Sequence, residues 1–452
     1  MNRPSHIDQA QSLDDQKEKF SSKSLSTSRV RHKQRNRANP LQRGIEEFLT
    51  SHISSSFLIE HNIPISNLIS SLPKRYTIYP PLLLLPQNTF NSDPHWKRLL
   101  SSFKQDQLNT LYACIAAAFS AQGVTHIATN APIALTKGDS GDENRMRSPT
   151  GVTPLYGDFG HLPADPDTGK EENPSASDLQ SAFWVQVVQN SGIIQIWAPL
   201  FSMFSRGNII EKARILGAAS TFEGLTEAEL GQKLKDIAVV DMYAGIGYFV
   251  FSYLKRGVGR VWAWELNGWS IEGLKRGAQA NCWKIKSVRV DSSGSVEGLD
   301  ELIEGLSDED RVVAFHGDNR FAARILSQVK ERLERKGAWK SIRHVNLGLL
   351  PTSQDSWEGA VGLLDHKYQG WAHVHENVAV DDIDEKSDYI VHEFESLLQS
   401  ARKTRPSSSS NSAVECRAVE RVKTYAPGVM HCVFDIRVPQ VVTMGISRMQ
   451  NP

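Results

Sequence analysis

The chain has 452 residues, with 51 Lys and Arg against 51 Asp and Glu, so its formal net charge is zero. Its 40% hydrophobic and 23% charged content and mean hydropathy of −0.36 are soluble globular values, with length enough for two or three domains. Zero net charge excludes a protein that coats nucleic acid or membrane by bulk electrostatics, and every apolar run falls well short of the ~20 residues that span a bilayer.

Residues 1–43 hold ten Lys and Arg and four acids, a net of +6, with few large apolar side chains. Such a segment buries too little apolar surface to offset its ordering entropy and reads as a disordered basic tail. Its stretch Arg29–Arg37 reads as an RNA-contacting arm, a nuclear-localisation patch or a plain solvated tail. No apolar signal segment stands in Met1–Gln16, and Cys114, Cys282, Cys416 and Cys432 make no C-x-x-C pair. Four reduced thiols and a cytoplasmic location are therefore expected.

Residues 44–180 are expected to form an accessory region, and residues 181–452 a second domain with a Ser-rich insertion at 402–412. Helical periodicity appears in Leu41–Leu58, Ile65–Leu72 and Gln105–Gln122, followed by a Gly/Asp/Pro-rich loop region with a strand near Gly151–Leu155. Ala182–Gln189 and Gly192–Trp197 read as a hairpin across Asn190-Ser191, and Ile209–Ala219 as a helix. Ile237–Met242, Arg260–Glu265, Arg311–Phe315, Ile342–Leu347 and Gly370–Glu376 are short apolar runs, most separated by helix-length segments. That alternation predicts a parallel sheet with helices on both faces. Val429–Phe434 and Val438–Val442 read as a closing antiparallel pair.

The sharpest feature is the strand-to-helix turn Val239-Val-Asp-Met-Tyr-Ala-Gly-Ile-Gly-Tyr-Phe249. Gly245 and Gly247 permit a tight turn and close approach to a ligand, and Asp241 stands at the strand's carboxyl end, where open α/β sheets bind ligands. Glu265 ends the next strand eighteen positions after Gly247, where a carboxylate accepts the ribose hydroxyls of an adenosine. A dinucleotide motif wants a third glycine, and position 250 is Val; Tyr248 and Phe249 also crowd a pyrophosphate. The turn fits an adenosine without diphosphate, which means S-adenosylmethionine. Asp318, with Asn319, follows the third strand and would read the adenine amino group or the amino-acid end of the cofactor.

Four segments carry a family resemblance: Phe204-Ser-Arg-Gly-Asn-Ile-Ile-Glu-Lys-Ala-Arg214, Asp241–Phe249, Gly317-Asp-Asn-Arg320 and Asn346-Leu-Gly-Leu-Leu-Pro-Thr-Ser353. In that order they resemble the second-step transferases of wybutosine synthesis, the tRNA 4-demethylwyosine α-amino-α-carboxypropyltransferases, relatives of the tRNA guanine N1-methyltransferases. Weaker similarity runs through Leu72–Tyr76, Arg147–Thr153, Gly370–Asn377 and Val422–Gly428. The sequence departs from the family at Leu266-Asn267-Gly268, at Thr352, and in insertions around Gly217–Lys233 and Arg402–Ser412.

The fold expected is α/β, a class I S-adenosylmethionine-dependent (Rossmann-like) seven-stranded sheet with an N-terminal α+β accessory domain. The resemblance implies that Ser205 and Lys212 contact the cofactor alongside Glu265, Asp318 and Asn319. Seven residues apart, Ser205 and Lys212 would lie two turns along one helix and face one ligand. It also implies transfer of the aminocarboxypropyl group of S-adenosylmethionine to C7 of 4-demethylwyosine beside the anticodon of tRNA(Phe), releasing methylthioadenosine. The residue that removes the C7 proton is not named by the sequence. Two other readings stand: a tRNA guanine N1-methyltransferase at the same position, and a non-catalytic tRNA-binding scaffold. His373 and His375 alternate along a strand beside Glu376, but lack a third ligand, so no metal is expected, nor a membrane partner. Lys74-Arg75, Arg402-Lys403 and Arg405 are candidate RNA contacts.

Overall fold

The computed structural model describes residues 39–60, 62–91, 93–130, 136–137, 142–143, 152–162, 173–205, 207–365, 367–403 and 413–440. The basic patch at Arg29–Arg37, the serine run at Ser407–Ser410 and the first part of the Arg147–Thr153 motif lie outside them.

The chain first builds a helical layer on a small sheet. Helices α1 (Pro40–Ser51), α2 (Ser55–Glu60) and α3 (Ile65–Ser71) precede strands β1 (Thr77–Tyr79) and β2 (Leu82–Pro86). Helices α4 (Pro94–Ser102) and α5 (Gln105–Ala118) then lead to β3 (His126–Asn130), a short pair β4 (Thr136–Lys137) and β5 (Asp142–Glu143), and β6 (Thr153–Tyr156). The sheet order is β1-β2-β3-β6. One face of it carries Leu83, Leu85 and Ile127 against Leu41, Ile45, Phe48, Trp96 and Ile115 of the helices, all buried. The expected helix over 41–58 is broken: α1 stops at Ser51, and the Ser54 hydroxyl accepts the amide of Phe57 to start α2. Helix α1 begins at Pro40, so the boundary of the basic segment falls a few residues earlier than expected.

The opposite face of that sheet meets a bridge formed by α6 (Ala176–Ser181) and the antiparallel hairpin β7 (Val185–Val188) and β8 (Ile194–Trp197). Tyr79, Leu82, Leu84 and Ala128 share a buried cluster with Val185, Trp197, Phe201, Ile246 and Trp269. The last two belong to the glycine-rich turn and the helix after Glu265, so this cluster ties the small sheet to the neighbourhood of the candidate site.

Helices α7 (Ile209–Ile215) and α8 (Glu227–Leu230) lead into alternating elements: β9 (Ile237–Asp241), α9 (Val250–Arg256), β10 (Arg260–Glu265), α10 (Gly268–Ala280), β11 (Lys284–Arg289), α11 (Leu299–Glu304) and β12 (Asp310–His316). Then come α12 (Ala322–Arg335), β13 (Ser341–Leu347), α13 (Trp357–Leu363), β14 (Gly370–Ala379), α14 (Ile383–Lys403), β15 (Glu415–Ala426) and β16 (Val429–Val438). The sheet runs β11-β12-β10-β9-β13-β14-β16-β15, parallel except where β16 pairs antiparallel with β14 and β15.

Six of these strands, β9, β10, β12, β13, β14 and β16, cover expected runs; β15 stands where no strand was expected, and so, at the opposite edge, does β11. Its sequence Lys-Ile-Lys-Ser-Val-Arg alternates charge with half-buried apolar residues, as an edge strand does, and lacks the continuous apolar run of a central one. The closing pair is also corrected. The hairpin joins Glu415–Ala426 to Val429–Val438 across Pro427-Gly428, with Gly428 at φ 73°, and Pro439 ends the second strand.

Candidate active site

The carboxyl ends of β9, β10 and β12 converge beside the glycine-rich turn. Gly245 and Gly247 have φ of 55° and 92°, left-handed conformations that glycine adopts without steric cost. A Cβ on Gly247 would stand 2.7 Å from the Phe251 ring, and one on Gly245 2.7 Å from the Tyr248 ring. The turn is therefore closed to any larger residue.

The Gly245 amide donates to Glu265 Oε2 at 2.8 Å, and the Asn267 amide to Glu265 Oε1 at 2.7 Å. The turn and the end of β10 are thus one structure, with a carboxylate fixed by backbone donors. Burial raises the Glu265 carboxyl to about 7 despite those hydrogen bonds. Asp241 is fully buried: Oδ1 accepts from the Tyr243 amide at 3.2 Å and Asn346 Nδ2 at 3.1 Å, while Oδ2 has no partner among the described residues. Desolvation pushes it up to about 6. Asp318 Oδ1 accepts the Arg320 amide at 2.9 Å, and Asn319 Nδ2 donates to the Met242 carbonyl at 2.7 Å. Asp241, Gly245, Gly247, Glu265 and Asn319 are therefore joined by short links, with Asp318 next in sequence.

Ser205 and Lys212 reach this cluster by a different route from the one expected. Helix α7 starts at Ile209 with Asn208 as its N-cap, so Ser205 lies outside the helix and the two-turn spacing does not apply. Ser205 makes no helix cap either; its hydroxyl accepts the Gly207 amide at 3.3 Å. Tyr248 links the two residues. Its hydroxyl donates to the Met203 carbonyl and accepts the Ser205 amide at 3.2 Å, and Lys212 Nζ lies 5.2 Å from its ring centroid.

Lys212 is 7% exposed, and its ammonium meets Gln195 Oε1 at 3.4 Å with no carboxylate within ion-pair distance among the described residues. Desolvation lowers it to about 8. It lines a small cavity with Gln189, Gln195, Tyr248 and Ser252. The segment holding Ser205 is pinned by Asn267, whose Nδ2 donates to the Phe201 carbonyl at 3.0 Å, and by the stack of Phe201 on Trp269 at 3.8 Å. Asn267 Oδ1 also accepts the Trp269 amide at 2.9 Å, so α10 is capped firmly although Gly268 begins it.

Three participants went unnoticed in the sequence: Tyr248 as the link, Gln195 as the Lys212 partner, and Asn346 as the Asp241 partner. The register pairs Asn346 with Asp241 across β13 and β9, a relation that a strand order, not a motif, supplies. His373 meets two polar partners within the sheet. Its Nδ1 meets Asp435 Oδ1 at 2.7 Å and its Nε2 meets His344 Nδ1 at 2.9 Å. Among the described residues no group of three or more His, Cys, Asp or Glu is placed to hold a metal ion. Arg75 lines a cavity of about 720 Å³ with Tyr76, Asn88, Asn91 and Asn130 on the small sheet. No helix of the described residues is long and apolar enough to cross a membrane.

Comparison with known proteins adds to this geometry. No protein-family model matches the chain. It is 38% identical to tRNA wybutosine-synthesizing protein 2 of Schizosaccharomyces pombe, over 81% of this chain and 72% of that one. It is 34% identical to the protein of the same name from Saccharomyces cerevisiae, over 87% of this chain and 80% of that one. The chain belongs to the tRNA wybutosine-synthesizing protein 2 family. The transferase activity that the motifs implied, aminocarboxypropyl transfer in wybutosine synthesis, goes with that membership. Among solved structures, a Pyrococcus horikoshii TYW2 in complex with MeSAdo aligns with 20% identity and a TM-score of 0.47, covering 85% of this chain and 97% of that one.

Proposed function

We propose that the chain transfers the α-amino-α-carboxypropyl group of S-adenosylmethionine to C7 of 4-demethylwyosine next to the anticodon of tRNA(Phe), releasing methylthioadenosine, in the cytoplasm. The observation that carries the reading is the pair of strand-end carboxylates, Asp241 and Glu265, around a glycine turn that admits no side chain. A sulfonium donor supplies three activated carbons, and selecting among them is a matter of positioning.

In this reading Glu265 accepts the ribose hydroxyls, its carboxylate already oriented by the Gly245 and Asn267 amides. Gly245 and Gly247 allow the backbone to approach the ligand, and Asp318 and Asn319 address its adenine or amino-acid end. Asp241 has an unpartnered buried oxygen ready to accept an ammonium or hydroxyl hydrogen. Lys212 is the group for the methionine carboxylate, with Ser205 beside it, because a buried ammonium without an acid is stabilised by an anionic ligand. Residues 44–180, with Arg75 and its amide-lined cavity, would serve as the tRNA-binding region.

The Lys212 assignment has a selective test. Lys212→Met should weaken S-adenosylmethionine binding by about 10–100-fold, the loss of one charge-assisted contact. Methylthioadenosine, which lacks the carboxylate, should bind the variant and the wild type equally in calorimetry. The thermal midpoint should not fall, because an unpaired buried cation has been removed. Equal losses for both ligands would remove Lys212 from the carboxylate site.

The reaction itself is tested by incubating the full chain with tRNA(Phe) carrying 4-demethylwyosine and S-adenosylmethionine. Methylthioadenosine and a tRNA base heavier by one aminocarboxypropyl group are expected. S-adenosylhomocysteine together with methylated guanosine in unmodified tRNA would establish the methyltransferase reading instead. Failure to bind the donor at all would establish the scaffold.

A further inference from the structure

Beyond the strand-end carboxylates, a second set of buried polar groups stands on the same side of the large sheet, and the reading above leaves it unused. The register pairs Asn346 with both Asp241 and His373, so these three point to one face. His375 and Asn377 follow on that face with the two-residue period of β14. The last residue of β13 in register is Leu347, opposite Val374. His375 and Asn377 therefore lie past the carboxyl end of β13, at the edge where open α/β sheets bind their ligands.

These groups are unusually short of partners. His375 is 1% exposed and His431 fully buried, and their rings meet at 3.0 Å through His375 Nδ1 and His431 Nε2. Among the described residues, His375 Nε2, His431 Nδ1, both side-chain polar atoms of Asn377 and Asn346 Oδ1 are buried with no hydrogen-bond partner. Native proteins leave only a few such atoms per hundred residues, and here five lie on one face of β13, β14 and β16. An aromatic wall adjoins them: the Phe249 ring lies 5.2 Å from that of His375, and stands 3.2 Å from where a Cβ on Gly348 would be. The Pro351 carbonyl accepts the Asn377 amide at 2.8 Å, which folds the loop after β13 along the end of β14 as a rim.

We propose that this edge of the sheet receives the acceptor base, a flat, nitrogen-rich heteroaromatic ring, and that His375 Nε2 takes the proton from its reacting carbon. The inference rests on the proposed transfer. As the base carbon bonds to the donor's Cγ, the Cγ–S bond breaks and its electron pair stays on sulfur, giving a neutral thioether. The C–H proton then moves to His375 Nε2, and the C–H electron pair restores the aromatic ring. The Nδ1 proton of His375 passes to His431 Nε2 across the 3.0 Å contact, so the charge leaves the ring nearest the base. Asn346 and Asn377 offer the donors and acceptors that hold the edge of the base. Burial, with His431 beside it, keeps His375 well below the usual histidine range, and His431 is lowered to about 4, so both rings are neutral at neutral pH before the proton is taken.

The test compares His375→Ala and His375→Gln with the wild type in single-turnover reactions on the modified tRNA. His375→Ala should lose about 10²–10⁴-fold in kcat, the range for a general base, with S-adenosylmethionine affinity within about threefold. Added imidazole should restore part of the loss in His375→Ala and none in the bulkier His375→Gln. If His375→Ala folds poorly, His431→Gln is read in the same assay, with an expected kcat loss of about tenfold or more at unchanged donor affinity. A kcat within threefold of wild type in these variants, or a loss that imidazole leaves unchanged, would overturn the proposal. If the wild type instead methylates guanosine, the proposed transfer fails. The same variants then decide, by methyl transfer, whether His375 serves the acceptor's proton.

Discussion

Replacing Glu265 with alanine will weaken S-adenosylmethionine binding by about 100-fold or more, the largest effect expected of any single residue at the cofactor site. The carboxylate is held on both oxygens by backbone amides at 2.7 and 2.8 Å, so it presents fixed lone pairs to a diol and reorganises little when the ligand arrives. Two charge-assisted hydrogen bonds at about 1.5–3 kcal/mol each account for the size of the loss. Removal also frees the Gly245 amide, which has its donor role through Glu265, and so loosens the turn itself.

The pH dependence supplies a second arm. Burial raises Glu265 from 4.5 to about 7, so the protein without ligand takes up its proton as pH falls through 7. If the ribose needs the carboxylate, wild-type affinity should drop toward tenfold per pH unit below 7, while Glu265→Gln should be weak and flat. The sign for folding is the opposite of a salt-bridged acid. The folded state holds more protons than the unfolded one between about 4.5 and 7, so this group's contribution to stability is present at low pH and is lost as pH rises through 7. The thermal shift produced by the ligand should therefore be greater at pH 8 than at pH 6. An equal shift at both, or a pH profile that survives in Glu265→Gln, would remove Glu265 from the ligand.

The parts of this architecture that were legible in the sequence are those written in contiguous residues. Ile237–Asp241 and Arg260–Glu265 are buried on both faces and so read as apolar runs ending in a carboxylate. Gly245 and Gly247 declare a turn because few other residues tolerate it. The accessory strands Thr77–Tyr79 and His126–Asn130 are short and carry no clean alternation, so only the completed four-stranded sheet reveals them.

The site was partly hidden for a related reason. Asn346 and Asp241 are 105 positions apart, and His375 and His431 56 apart. Each pair is created by strand order. The one local signal was the alternation of His373, His375 and Asn377 along a buried strand, which is too polar for a face covered only by core. Ser205 and Lys212 show the converse. Sequence spacing brought them together for the wrong reason, a shared helix, whereas the fold joins them through Tyr248.

The largest loss of stability is expected from Arg214→Met. This guanidinium is 1% exposed on α7 and lies between the carboxylates of Glu211 at 2.8 Å and Glu420 at 3.4 Å, with Asp435 in direct contact. It also donates twice to the Thr221 carbonyl, at 3.0 and 3.2 Å, fixing the loop that leads to Phe222 and Gly224. Methionine fills the volume but leaves Glu211 and Asp435 buried without a cation; breaking such a pair costs about 3–5 kcal/mol. Asp435 keeps the His373 contact at 2.7 Å, which is why the loss should stay within that range.

Because the penalty is the orphaned charge and not the missing attraction, Arg214→Met combined with Glu211→Met and Asp435→Leu should recover most of it. Urea unfolding followed by tryptophan fluorescence reads both variants. Arg214→Met within about 1 kcal/mol of wild type, or a triple variant no better than the single, would mean that the network is not a cooperative unit. Function should follow the fold, since Lys212 is two residues from Arg214 on the same short helix. The single variant should lose affinity for S-adenosylmethionine more than for methylthioadenosine, and the triple variant should regain that preference along with its stability.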